Sequence, residues 1–230
     1  MAVLRMGSRT NLGKRRVHIN RPDRIRNAAD KQRTHELFDT AGIKCAPWQK
    51  VTDERRIKTP LVAKHRFGSR GTGVYLLRTK ADIEKFLADH SHKLDMFIYE
   101  KFKPYKFEYR MHVWAGGCFY ACRKALKSEA PAGDRWKRND ESCVWFRDDN
   151  QEKFKKPETW DAIVAECVRA LEVLELDVAG FDVRVSKDGK FFIVEVNSAP
   201  AFGDVTSQRY RQILPEIVRH IKSTRGLELY

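Results

Sequence analysis

Two stretches of the chain combine residue types that handle phosphate and metal. Residues 64–74 read Lys-His-Arg-Phe-Gly-Ser-Arg-Gly-Thr-Gly-Val. Gly68, Gly71 and Gly73 let backbone N–H groups approach a polyphosphate, and Lys64 adds a fixed positive charge. The same glycine spacing also fits a flexible turn with no ligand. The second stretch pairs Gly180-Phe181-Asp182-Val183-Arg184 with Ile193-Val194-Glu195-Val196-Asn197. On two strands of one hairpin, period two puts Asp182 with Arg184 on one face and Glu195 with Asn197 on one face. Facing pairs then bring two carboxylates and an amide oxygen within reach of one cation. Hard oxygen donors few in number suit a magnesium also held by substrate phosphates. Acids that simply face water are the other reading, against which stands the strongly apolar strand around Glu195 and Asn197.

The elements that must position these groups are legible as patterns. Residues 60–64 and 73–77 flank the glycine loop as a hairpin with an exposed tip. Before it, residues 27–41 have helix-forming composition and end at Gly42, with Pro47 soon after. Thr79 with Asp82 opens a capping pattern for a short amphipathic helix through Ile83, Phe86 and Leu87, and 96–99 is a further strand. Residues 109–114 and 118–122 form a hairpin across Ala115-Gly116-Gly117. Residues 128–151, rich in charge and turn formers, read as a long loop. The clearest helix covers 157–176, with Trp160, Ile163, Val164, Cys167, Val168, Leu171 and Leu174 on one stripe. Strands at 180–185 and 191–196 follow, joined at 187–190, and a last amphipathic helix surrounds Pro215. Hairpins dominate over long crossovers, so the class is α+β with antiparallel sheets, which excludes an ordinary Rossmann fold. No Gly-x-x-x-x-Gly-Lys-[Ser/Thr] string occurs, which excludes a P-loop.

Composition bounds the rest. In 230 residues, 42% are hydrophobic and 33% charged, the balance of a globular protein rather than a disordered or fibrous one. No apolar run approaches the roughly 20 residues of a membrane helix or the length of a signal peptide, so the expected compartment is the cytoplasm, with no membrane partner. The five cysteines are odd in number and scattered, which reads as reduced thiols. His112, Cys118 and Cys122 could be drawn as zinc ligands, but no Cys-x-x-Cys pair supports it and buried small side chains explain them. The formal charge is +14, and residues 1–26 hold eight basic side chains (Arg5, Arg9, Lys14, Arg15, Arg16, Arg21, Arg24, Arg26) against Asp23 alone. Such a segment attracts polyanions, or is a solvated face.

Six pieces in order resemble the ATP-grasp ligases, within them the ribosomal-protein glutamate ligase branch. They are Asn27-Ala28-Ala29-Asp30-Lys31 with Ala41-Gly42-Ile43 and Pro47; Leu61-Val62-Ala63-Lys64 with the glycine loop; Phe97-Ile98-Tyr99-Glu100; Glu108-Tyr109-Arg110; Ala179-Gly180-Phe181-Asp182; and Glu195-Val196-Asn197-Ser198-Ala199-Pro200. The resemblance implies an ATP-grasp fold of two α+β lobes with antiparallel sheets enclosing the nucleotide: a basic amino-terminal segment at 1–26 in place of a domain of about a hundred residues, a small lobe at 27–99, and a large lobe at 100–230. It implies ATP and Mg2+ as cofactors. Lys31 and Lys64 would contact the phosphates, Lys64 also near the adenine. Gly68, Ser69, Arg70, Gly71, Thr72 and Gly73 would form the lid. Glu100, Lys101 and Phe102 would hold the adenine edge by backbone hydrogen bonds, and Asp182, Glu195 and Asn197 match the magnesium ligands. Arg123 or Lys124 falls where the family places a cation near the transferred phosphoryl group, Arg110 and Arg184 join them as candidate catalytic cations, and Arg138-Asn139 sits near nucleotide and substrate. Ala201 departs from the glycine that commonly follows the proline.

The expected activity is an ATP-dependent carboxylate–amine ligase using an acyl phosphate, with a carboxylate, an amine and an anionic macromolecule docked by residues 1–26 as partners. Two rivals share these residues. One is a phosphotransferase on the same scaffold; the other is a nucleic-acid-binding module built on the basic segment and on Trp136 and Trp145.

Overall fold

The computed structural model describes residues 17–54, 56–69, 71–131, 133, 135–136, 142–200 and 203–226, together with the backbone of Ala2–Leu4. Strands β1 (Ala2–Leu4) and β2 (Val17–Ile19) pair in parallel, and α1 (Ile25–Ala29) and α2 (Lys31–Ala41) follow. The sequence reads 27–41 as one helix, but the chain breaks at Asp30, whose side chain accepts the Gln32 N–H and caps α2. An Asp in this position satisfies an N–H that the helix itself leaves unpaired.

The smaller sheet has the order β3-β6-β4-β5, formed by β3 (Trp48–Lys50), β4 (Leu61–His65), β5 (Val74–Leu77) and β6 (Phe97–Lys101). Helix α3 (Lys80–Asp89), with the expected Thr79–Asp82 capping box, covers it through Ile83 and Phe86, which pack on Leu61, Ala63, Phe97 and Tyr99.

The larger sheet has the order β11-β10-β7-β8-β9, all antiparallel, from β7 (Phe107–Trp114), β8 (Gly117–Leu126), β9 (Cys143–Arg147), β10 (Val178–Val185) and β11 (Phe191–Asn197). Strand β9 lies inside the 128–151 stretch read from sequence as loop. The run Val144-Trp145-Phe146 has strand-forming residues, and it pairs with the far half of β8 from Cys122 to Leu126. After the short α4 (Gln151–Phe154), helix α5 (Trp160–Val173) lays Ile163, Cys167, Ala170 and Leu171 on one face of the sheet, against Tyr109, Met111, Val113, Phe181 and Val183. Phe38 of α2 and Ile43 join this same cluster. Core residues from Ala28 to Cys45, within the stretch expected as the small lobe, thus pack with the larger sheet.

Helix α6 (Asp204–Thr224) closes the third cluster, packing Tyr210, Ile217 and Ile221 on Ile19 and Val178. Residues 17–26 are thus built into the fold. Asn20 is fully buried with φ of 61°. Its Oδ1 accepts the N–H groups of Asp177 (2.9 Å) and Val178 (3.1 Å), its Nδ2 donates to the Val178 carbonyl (2.8 Å), and its own N–H donates to Asp177 Oδ2 (2.7 Å). Arg21 and Arg24 pair with Glu175 at 3.2 and 2.7 Å.

Asn20→Ala should strand the buried polar groups at 177–178 and destabilise the protein by about 3 kcal/mol in urea unfolding. Asn20→Gly should be milder by about 1 kcal/mol, because glycine accepts the left-handed backbone. Losses under about 1 kcal/mol in both variants would show that the cross-link contributes little.

Candidate active site

Period-two alternation in β7 and β10 sorts charge from core. Tyr109, Met111, Phe181 and Val183 face α5, so Glu108, Arg110, Asp182 and Arg184 must share the other face. Register completes the arrangement: Asp182 lies opposite Arg110 and Glu195, Glu108 opposite Arg184 and Lys124, and Gly180 opposite Asn197. Gly180 matters because a Cβ there would come within 2.8 Å of Pro200 Cβ, so its absence lets the chain after β11 fold back over the sheet.

These charges form one network. The Arg110 guanidinium donates two parallel bonds to Asp182, Nε to Oδ1 and Nη2 to Oδ2, each 2.8 Å. Lys124 Nζ donates to Asp182 Oδ2 at 2.9 Å and to Glu108 Oε1 at 3.0 Å, while Arg184 Nε donates to Glu108 Oε2 at 2.7 Å. Burial alone would raise the Asp182 carboxyl, but Arg110 and Lys124 hold it well below the usual carboxylate range. Glu108 is likewise lowered, its desolvation overcome by Lys124 and Arg184. Burial would lower the Lys124 ammonium, and the two carboxylates raise it instead.

The smaller sheet faces this network with Lys64. Its Nζ lies 2.6 Å from Glu100 Oε2 and donates to the Val194 carbonyl at 3.3 Å, a bond that joins the two sheets. His35 Nε2 meets the other Glu100 oxygen at 2.9 Å. Burial would raise Glu100, yet Lys64 and His35 bring it down to about 2. Lys31 Nζ lies 3.3 Å from Glu195 Oε1 and donates to the Gly68 carbonyl at 2.5 Å, so one ammonium spans a candidate metal ligand and the glycine hairpin. The base of that hairpin is fixed by Arg66, which forks onto Asp30 at 3.0 and 2.6 Å. Gly73 has φ of +70°, and a Cβ there would sit 2.7 Å from His65 Cβ, so the tight return needs glycine.

The geometry thus gathers Lys31, Lys64, Glu100, Arg110, Lys124, Asp182, Arg184 and Glu195, with Asn197 at the Gly180 register, around the facing sheets. Gly68, Ser69, Gly71, Thr72 and Gly73 lie at the tip of the hairpin; Arg70, Arg138 and Asn139 lie outside the described residues. Arg123 points the other way: it sits opposite Tyr109, donates to the Lys153 carbonyl at 2.7 Å and lies over Phe146, because its neighbour Lys124 takes the charged face. At the expected hinge, the N–H groups of Lys101 and Phe102 donate to the Pro47 and Pro60 carbonyls at 2.8 and 3.1 Å, so these two donors serve the fold.

Sequence reasoning did not single out His35, named Asp30 and Glu108 only as parts of longer motifs, and read Trp145 as an aromatic of the nucleic-acid-binding alternative. His35 is four residues after Lys31 on α2, a helical spacing that could have flagged it. Trp145 lies opposite Lys124, its ring 5.2 Å from that ammonium and 5.3 Å from the Arg110 guanidinium, packed on the network rather than offered as a stacking platform. Cys118 and Cys122 are turned into the fold, and burial pushes the Cys118 thiol up to about 12. Among the described residues no helix is long and apolar enough to cross a membrane.

The depressed Glu100 carboxyl fixes a sign. Its ordinary value is 4.5 and its folded value about 2, so its contribution is present above pH 4.5 and is lost as pH falls toward 2. Glu100→Gln cannot ionise. The stability gap between the protein and this variant, from urea midpoints, should narrow by about 3 kcal/mol from neutral pH to pH 2. A gap constant across that range would show that the pair with Lys64 adds nothing.

No protein-family model and no curated protein matches the chain in sequence. Solved structures are similar in shape. The D-alanine–D-alanine ligase of Bacillus anthracis aligns with 90% of this chain and 73% of its own, at a TM-score of 0.68 and 17% identity. Its complex with ATP aligns with 90% and 72%, at 0.66 and 17%. The ATP-grasp ligase PsnB, solved with a minimal precursor, Mg and ADP, aligns with 90% of this chain at 0.59 and 17% identity. The chain spans 63% of PsnB, less than two thirds of its length. With two antiparallel sheets facing each other across a glycine hairpin and these neighbours in shape, the chain has the ATP-grasp fold.

Proposed function

We propose that the chain is an ATP-dependent carboxylate–amine ligase of the ribosomal-protein glutamate ligase branch, working through an acyl phosphate. One observation carries this reading: Lys31, Lys64, Arg110 and Lys124 converge with Asp182 and Glu195 on the facing sides of two sheets, beside a glycine hairpin. Asp182, Glu195 and Asn197 offer three hard oxygens, and among the described residues no three His, Cys, Asp or Glu form a closed metal cage. That donor set fits magnesium completed by phosphate oxygens. Bound there, magnesium would neutralise charge on the transferred phosphoryl group.

The residues of the chain then supply positioning and electrostatics. Lys31 and Lys64 hold phosphate oxygens, and Arg110 and Lys124 face the transferred group. A carboxylate oxygen attacks the γ-phosphorus, the bond to the bridging oxygen breaks, and ADP leaves. The amine nitrogen next attacks the acyl carbon, the carbon–oxygen bond to phosphate breaks, and the amine gives up a proton. The hairpin at 66–73 excludes water while the acyl phosphate waits. The gap between α2 and β11, lined by Lys31, His35 and Glu195, is about 20 Å3, room for roughly one water. Docking of an anionic macromolecular substrate falls to the basic residues other than Arg21 and Arg24, whose charge is met by Glu175.

Lys64→Met should weaken MgATP binding by about 2 kcal/mol, roughly 30-fold, in calorimetric titration of protein with unchanged circular dichroism. Unchanged affinity removes Lys64 from the site. In reactions with a carboxylate panel and labelled ATP, hydroxylamine should trap a hydroxamate as ADP and phosphate form together. A lasting phosphate ester on the acceptor and no hydroxamate would assign a phosphotransferase to the same fold.

A further inference from the structure

A second cleft, of about 780 Å3, opens at the outer edge of β11 and shares no lining residue with the ion network. That volume is in the range of sites that enclose small molecules or short peptides. Strand β11 is an edge strand of its sheet, and an uncovered edge presents main-chain donors and acceptors in search of partners. At Ile193 the edge is covered, its N–H donating to the Lys44 carbonyl at 2.8 Å. Phe191, two residues earlier, aims its N–H and carbonyl the same way. The turn confirms the phase, since Ser186 N–H donates to the Lys190 carbonyl at 2.8 Å and Phe191 falls between bonded positions. Among the described residues these two Phe191 groups have no partner.

The walls add a chemical preference. Lys44 Nζ stands 4.6 Å from the centroid of the Phe191 ring, and Lys103 Nζ 5.3 Å from that of Phe192. Neither lysine meets a carboxylate among the described residues. The one acid on the lining, Asp188, is already matched by Lys190 at 2.8 Å. Phe191 and Phe192 are consecutive in the strand, so the edge carries an ammonium with an aromatic ring on each face, Lys44 with Phe191 and Lys103 with Phe192, around a main-chain donor and acceptor.

We propose that this cleft binds an extended peptide segment bearing acidic side chains. The main chain of such a segment pairs with Phe191, and its side chains alternate between the two faces, so that carboxylates on adjacent residues meet Lys44 on one face and Lys103 on the other beside the two phenylalanine rings. A peptide amide offers N–H and carbonyl together, which matches Phe191; a nucleic acid strand brings the negative charge without that pairing. The site stands apart from the ligase reading and does not depend on it.

The test uses the whole chain and a fluorescein-labelled octapeptide of two Glu-Glu-Val-Val repeats, which presents carboxylates and apolar side chains on both faces, read by anisotropy. Lys44→Glu with Lys103→Glu should weaken binding by about tenfold or more, whereas Lys80→Glu with Lys85→Glu, an equal charge change on α3, should leave it within about twofold. N-methylation of alternate peptide amides should also weaken binding to the parent protein by about tenfold, a comparison that stands even where a charge-reversed variant fails to fold. Absence of peptide binding, equal losses in both double variants, equal affinity for the N-methylated peptide, or displacement of the peptide by oligodeoxythymidine would each overturn the proposal.

Discussion

Asp182 is buried between two cations, and the surrounding structure follows from keeping it ionised there. A lone carboxylate at 4% exposure would carry a desolvation penalty of several kcal/mol. The fork from Arg110 and the bond from Lys124 offset it, but Lys124 is itself buried and needs Glu108, and Glu108 in turn holds Arg184. The chain of pairs runs across β10, β7 and β8, and it can close only if those three strands keep one register. The apolar residues that alternate with these charges bind α5 on the other face, so the slip of a single residue would expose the core and bury unpaired charge together.

Networks of this kind are poor sources of stability, since apolar residues of similar volume often do as well. Their value lies in rigid placement of charge. Arg110 has both ends of its fork used and Trp145 over its plane, and Lys64 is held at once by Glu100 and by a carbonyl of the opposite sheet. Such groups change position little when a ligand arrives, which is the condition for electrostatic catalysis without a reorganisation cost.

Much of this was legible in the sequence, and the parts that were not share a cause. Period two correctly put Asp182 with Arg184 and Glu195 with Asn197, because a strand's alternation is local. It could not choose between Arg123 and Lys124, since either phase of β8 gives a plausible strand until the pairing with Tyr109 and Glu108 fixes it. Strand β9 was hidden because its strand-forming run is only five residues long and follows a charged, turn-rich stretch, and its pairing with β8 is not a local pattern. Asn20 looked like part of a basic arm; its four bonds go to residues more than 150 positions away, beyond the reach of any local pattern.

The ion pairs also show how one site can gather many charges and still face a charged ligand. Lys31, Lys64, Arg110, Lys124 and Arg184 are set against Glu100, Glu108, Asp182 and Glu195, so the two sheets face each other with nearly balanced charge. On the ligase reading, a polyphosphate and its cation enter as opposite charges. On that reading Lys31 would hold phosphate oxygens and Glu195, with Asp182 and Asn197, would hold magnesium, which would neutralise phosphate charge. Lys31 also bonds the Gly68 carbonyl, so one ammonium ties the metal-facing strand to the glycine hairpin. On that reading whatever meets Lys31 is felt directly at the hairpin, because one nitrogen touches both the carboxylate and the loop.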